Sequence, residues 1–263
     1  MEQFSIGRVL SRGFGLVRDT LGSVGVFILI IVVIQSAVSL GAQLLFAGDL
    51  QLAATSTERF EALQAVFATT WYWAVLLVTL IGFGLSYAGG IHGLIQQAER
   101  GTTSLQECLR AGFARMLPVI GLTILWWLGV ALGWLFLVVP ALILMSMWAV
   151  ALPAMIAENR GVFESFGRSR ELTRGYRLSI FGVLFIVLLI YYAVVIVLVG
   201  ALLGGSGMSI LSLGQATVLS TALSVPAAWI SSMLFKAIMT SLYIETVLVK
   251  EGMRTDGLTE VFE

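Results

Sequence analysis

The chain has 263 residues, 59% of them apolar and only 11% charged, with fifteen basic and fifteen acidic side chains, one histidine and no formal net charge. An ordinary soluble domain carries about 25% charged residues, and no water-soluble core could absorb this much apolar surface, which excludes a soluble enzyme or a nucleic-acid-binding protein. The charges are clustered, and residues 20–48, 62–98, 116–157 and 178–235 contain no Asp, Glu, Lys or Arg.

A helix crossing a bilayer needs about 20 apolar residues, because each peptide group must find its hydrogen bond inside its own segment. The first two uncharged runs hold one span each and the last two hold a pair each. The expectation is an all-α polytopic membrane protein, one membrane domain with six transmembrane helices at 21–46, 71–97, 117–139, 140–157, 178–203 and 216–243. The first apolar run starts after residue 20, exceeds the 7–15 residues of a signal-peptide core and lacks a small-residue cleavage site, so the N-terminus is expected to be retained.

Span one carries Gln35, Ser36, Ser39 and Gln43 on one broad stripe. Hydrogen-bonded helix packing is the expected use, with a hydrated cavity as the alternative. In the following loop, Thr55, Ser56, Thr57 and Glu58 read as the start of a capped short helix, and Trp71 and Tyr72 mark the outer interface. Span two holds Gly82, Gly84, Gly89, Gly90 and Gly93, which permit close helix approach. His92 lies near its end, expected as a packing or interfacial histidine, with a proton-sensing or ligand role as the alternative. The lone Cys108 excludes an intramolecular disulfide and a cysteine metal cluster and is expected to pack as a small apolar residue.

Pro140 divides the 42-residue run 116–157, since proline fits the first turn of a new helix. Six spans place thirteen of the fifteen basic residues on one side and leave Arg59 on the other, with Lys236 inside the last span. Basic residues stay cytoplasmic, so both termini are expected in the cytoplasm, across a bacterial inner membrane. The connection 204–214 is rich in Gly and Ser and reads as a loop. Trp126, Trp127, Trp148 and Trp229 fall mid-span, where they are expected to fill the bundle interior and where each indole N–H needs an acceptor; a lipid-accepting groove is the alternative. Lys236 is expected to extend its stem so that the ammonium reaches the interface, or else to pair with Glu245, which nine residues of separation disfavour, or with a substrate anion.

The chain also echoes itself. Leu10-Ser11-Arg12-Gly13-Phe14 returns as Leu109-Arg110-Ala111-Gly112-Phe113 and as Leu172-Thr173-Arg174-Gly175-Tyr176, each ahead of an odd-numbered span. These define three units of amphipathic helix, span, span, at about 1–101, 102–161 and 162–250, followed by a tail at 251–263. In the second leader, Leu105, Cys108, Leu109, Phe113 and Met116 recur at helical spacing with Arg110 and Arg115 off that face, the pattern of an interfacial helix on the inner leaflet. Arg8, Arg12, Arg110, Arg115, Arg168, Arg170 and Arg174 are the candidate lipid head-group contacts. Lys236, His92 and Gln35 are the candidate intramembrane polar site.

Pro153, Glu158, the Arg168-Ser169-Arg170 segment, Gly175 and the closing Ser241-Leu242-Tyr243-Ile244-Glu245, taken in this order, resemble the bacterial glycerophosphoryl diester phosphodiesterase membrane-domain family over the length of the chain. The membrane part of that family sometimes accompanies a catalytic barrel. These residues contain no such barrel, so the resemblance implies a stand-alone membrane domain and carries over no catalytic position.

A nucleophile with its base, a metal with several His and carboxylate ligands, Gly-x-Ser-x-Gly, His-Glu-x-x-His and a phosphate-cradling loop are all missing from the sequence, and all three aspartates lie outside the spans. No enzyme activity, cofactor, metal or nucleic-acid partner is expected. The expected function is a non-enzymatic inner-membrane protein that binds or organises membrane lipids or other membrane proteins, compatible with a homo-oligomer. The alternative is a transporter or permease for an amphiphile, motivated by the repeat, the Gly- and Trp-rich spans and Lys236.

Overall fold

A computed structural model describes residues 4–52, 64, 68–205 and 213–252, and there is no strand among them. Helix α1 (Ile6–Thr20) starts at Ser5, whose hydroxyl accepts the Arg8 N–H. A single π turn, Leu21–Gly25, joins it to α2 (Val26–Leu52). Helix α3 (Thr70–Arg100) is capped by the Thr69 hydroxyl and ends on Gly101, whose φ of 69° is the left-handed geometry glycine supplies without strain. Helix α4 (Leu105–Phe136) opens with a reciprocal capping box between Ser104 and Glu107. After Leu137 come α5 (Val138–Met147), with Pro140 in its first turn, and α6 (Ala151–Ala157). Helices α7 (Val162–Thr173), α8 (Arg177–Gly205) and α9 (Leu213–Glu251) complete the chain.

Among the described residues six stretches are long and apolar enough to cross a membrane: Ile6–Leu44, Thr70–Arg100, Leu105–Phe136, Val138–Ala157, Arg177–Val197 and Ser224–Glu251. The protein is therefore a multi-pass, all-α membrane protein, and the crossings fall where the uncharged runs place them. Among these stretches α9 is the most enclosed, with 61% of its span buried against 11% for α8, so α9 forms the axis of the bundle and α8 its lipid-facing rim.

The small residues of α3 set its packing distance to α4 and to the start of α2. A Cβ at Gly89 would overlap the Cys108 carbonyl oxygen, and one at Gly93 would come within 2.6 Å of the Cys108 sulfur and 2.7 Å of Val24. Cys108 is buried and packs with Val24, Phe27 and Leu94, as an apolar filler does.

The three leader segments are not built alike. The first joins its span through the π turn, the second runs into α4 without interruption, and only the third, α7, is separated from its span by the turn at Arg174–Tyr176. The capped helix expected around Thr55–Glu58, most of the Gly/Ser connection and the tail beyond Gly252 lie outside the described residues.

Candidate functional site

The ends of α3, α6 and α9 share one end of the bundle with the start of α1, α4 and α7, and the basic residues gather there. Two carboxylates organise part of this layer. Glu245 on α9 is 1% exposed and accepts from the Ser5 N–H at 3.3 Å and from Arg8 Nε at 3.0 Å, with Arg12 Nη1 at 3.4 Å from its second oxygen. Glu158, just after α6, accepts from Arg168 Nε at 2.8 Å and from the Tyr243 hydroxyl at 3.0 Å, and also pairs with Arg160. Arg168 reaches on to Glu251 at 2.6 Å, so α7 is clamped to the end of α9. Partial burial works to raise the Glu158 carboxyl, but the hydrogen bonds from Arg168, Arg160 and Tyr243 outweigh it and hold the group below the ordinary glutamate range.

Three of the arginines outside this arrangement share one cavity. Arg100, Arg110 and Arg115 line a recess of about 540 Å³ between α3, α4 and the α6–α7 turn, with His92, Glu99 and Glu107 also on its wall. Among the described residues none of the three forms an ion pair. Glu107 is engaged in the cap, accepting from the Ser104 N–H at 3.1 Å and the Ser104 hydroxyl at 2.8 Å. The recess thus has a surplus of positive charge and open space, which suits an anion of phosphate size.

Further along the same α3–α4–α6 seam lies an aromatic chamber of about 330 Å³, lined by Tyr87, Leu122, Trp126, Trp148, Phe235 and Lys236 among others. Lys236 does not run out to the interface. It is 1% exposed, donates to the Ser232 hydroxyl and sits 4.3 Å above the centre of the Tyr87 ring. The side chain bends inward because Gly90 leaves room for its stem: a Cβ at that position would stand 3.0 Å from Lys236 Cδ.

The sequence-derived head-group set therefore divides. Arg8, Arg12 and Arg168 turn onto internal carboxylates, Arg110 and Arg115 face the recess, and Arg170 and Arg174 are exposed on and just after α7. His92, Lys236 and Gln35 are not brought together as one polar site. His92 belongs to the recess, Lys236 to the chamber, and Gln35 uses its amide to bond the Thr79 carbonyl at 3.0 Å, a helix-packing role. The mid-span tryptophans divide as well. Trp229 finds its acceptor in the Gly25 carbonyl at 2.8 Å, the carbonyl that the π turn presents, while Trp126 and Trp148 line the chamber. Trp127 also borders the chamber but is 63% exposed, so it does not fill the interior as expected. Sequence reasoning missed Arg100 as a recess residue and the carboxylate anchors of the arginines, since contacts such as Arg8–Glu245 span 237 positions. Compared with known proteins, the chain matches no family model, no curated protein and no solved structure.

Proposed function

We propose that the protein is a non-enzymatic membrane protein that binds and organises anionic lipid at the cytoplasmic face of a bacterial inner membrane. The observation that carries this reading is the recess: Arg100, Arg110 and Arg115 line open space, form no ion pair among the described residues, and outnumber the two carboxylates on its wall, Glu99 and Glu107. Elsewhere at that end, Arg8, Arg12 and Arg168 are matched to Glu245, Glu158 and Glu251, and Arg170 and Arg174 stand exposed on and just after α7; the recess differs from both in gathering three arginines around one cavity. A phosphate head group supplies the missing charge, and each arginine near an anionic surface contributes about 1 kcal/mol. The surplus of basic residues orients this end toward the cytoplasm, with both termini on that side. The resemblance to the phosphodiesterase membrane-domain family fits a lipid-facing role without the hydrolytic barrel, and the sequence offers no nucleophile–base pair to run a reaction.

A second reading, passage of an amphiphile through the bundle, is favoured by one observation. The aromatic chamber continues past Met145, Leu184 and Phe235 into a neighbouring groove of about 370 Å³.

Native mass spectrometry of the full chain released from bilayers that mix phosphatidylglycerol with phosphatidylcholine tests the leading reading. The wild type is expected to retain phosphatidylglycerol preferentially. Arg110→Gln combined with Arg115→Gln is expected to weaken that retention about thirtyfold, the equivalent of about 2 kcal/mol. Retention of both lipids in proportion to their supply, or an unchanged preference in the double variant, would overturn the reading.

A further inference from the structure

The recess does not account for Lys236. The 1% exposure of this side chain places an ionisable amine in an apolar surrounding, where its charged form is costly without an anion. The Ser232 hydroxyl and the face of Tyr87 offset part of that cost, since both present electron density to the ammonium, but neither neutralises its charge. Among the described residues no carboxylate pairs with it. The next acidic residue along α9, Glu245, lies nine positions on, about 14 Å along a straight helix, and is committed to Arg8 and Arg12.

The surroundings describe what would complete the site. The chamber is walled by aromatic and aliphatic groups, and its extension along α8 is lined by Phe181, Leu188 and Tyr191, so the space is elongated, apolar and open toward the lipid side of the weakly enclosed α8. A single ammonium with one neighbouring hydroxyl matches the two oxygens and single charge of a carboxylate; a doubly charged phosphate would call for more donors than this chamber offers. From this pairing of one buried cation with an elongated apolar cavity, we propose that the chamber binds a long-chain fatty acid, with its carboxylate on Lys236 and its chain along the α8 groove. This site goes beyond the arginine recess and does not depend on it.

The chamber carries its own reporters in Trp126, Trp127 and Trp148. The full chain in bilayer discs of phosphatidylcholine is titrated with a dibrominated octadecanoic acid and, separately, with its methyl ester, which has the same chain without the charge. The expected result is saturable quenching of tryptophan fluorescence by the acid at a concentration about tenfold or more below that of the ester. Lys236→Met preserves the length of the stem and should bring the acid to the ester's midpoint, whereas Lys236→Arg should keep the preference. Equal midpoints for acid and ester on the wild type would overturn the proposal with no variant needed. So would a preference that survives Lys236→Met, or stronger displacement of the brominated acid by hexadecyl phosphate than by hexadecanoic acid. Because the bilayer contains only zwitterionic lipid, loss of lipid selectivity at the recess leaves this assay unaffected.

Discussion

Helix α9 carries two charges buried to the same degree, Glu245 and Lys236 at 1% exposure each, and their surroundings differ completely. Glu245 is met by two guanidinium groups and a backbone N–H from the start of α1, and the same helix pair is tied again where the Ser241 hydroxyl donates to the Val9 carbonyl at 2.8 Å. Lys236 is met by a hydroxyl and a ring. Burial alone therefore does not distinguish a structural charge from a functional one; the completeness of its partners does. A compensated ion fixes helices to one another, and an ion left with spare capacity has something still to bind.

Removing each charge separates these two roles. Glu245→Ala leaves Arg8 and Arg12 facing an emptied pocket, and because their side chains are 40% and 23% exposed they can turn partly to water. The expected loss of stability is thus toward the low end for a broken buried pair, about 3 kcal/mol. Lys236→Met replaces an uncompensated cation with an apolar side chain of similar length and should leave the thermal midpoint in detergent unchanged or raise it. Equal losses in the two variants would break the comparison.

Two adjacent glycines sharpen it at the next level of effect. Gly89 faces rigid atoms, the Cys108 carbonyl and the Phe27 ring, and a Cβ there would stand only 2.6 Å from that ring. Gly89→Ala therefore forces α3 away from α2 and α4 at a cost of about 2 kcal/mol. Gly90 faces only the flexible stem of Lys236 and, at ordinary contact distance, the end of the Ile28 side chain. Gly90→Ala should cost less than about 1 kcal/mol, because alanine's better helix propensity offsets the crowding. Displacing the stem should still reduce the acid-over-ester preference. Thermal melts of the two variants, with the quenching titration on the second, check both expectations; a Gly89→Ala protein as stable as the Gly90→Ala protein would show that the close approach of α3 and α4 is not maintained.

The spans were legible because hydrocarbon leaves each peptide group to its own helix, and residues 20–48 or 178–235 without a charge can meet that demand in few other ways. Pro140 marked a true helix start for the same local reason. The glycines of α3 were legible as packing, and the structure adds which atoms they admit. Lys236 was not, because the sequence shows how far a lysine stem can reach but not that Gly90, one helix away, opens an inward path. The arginine layer was legible as a set and not as individuals: Arg8 and Arg12 reach Glu245 across more than two hundred positions, and Arg168 reaches Glu158 across a turn between two helices.

Glu158 offers one of the smaller effects and the one with a pH signature. Its carboxyl is held below the ordinary glutamate value of about 4.3, so its contribution to stability is complete above that value and disappears as the pH falls through the lowered one. Arg168, raised by Glu158 and Glu251 against the opposing effect of its own partial burial, stays charged across this range, so acid acts on the carboxylate side of the pair alone. Glu158→Gln keeps an acceptor oxygen for Arg168 or Tyr243 but loses the charge, and should cost about 1 kcal/mol at neutral pH. Thermal midpoints measured from pH 7 down to pH 3 are then expected to converge for wild type and variant at the acid end. Parallel curves over the whole range would mean that the α6–α7 turn is held to α9 by packing around Leu172 and Tyr243 and not by charge; convergence would place Glu158 with Glu245 as a compensated ion, in contrast to Lys236 on the same helix.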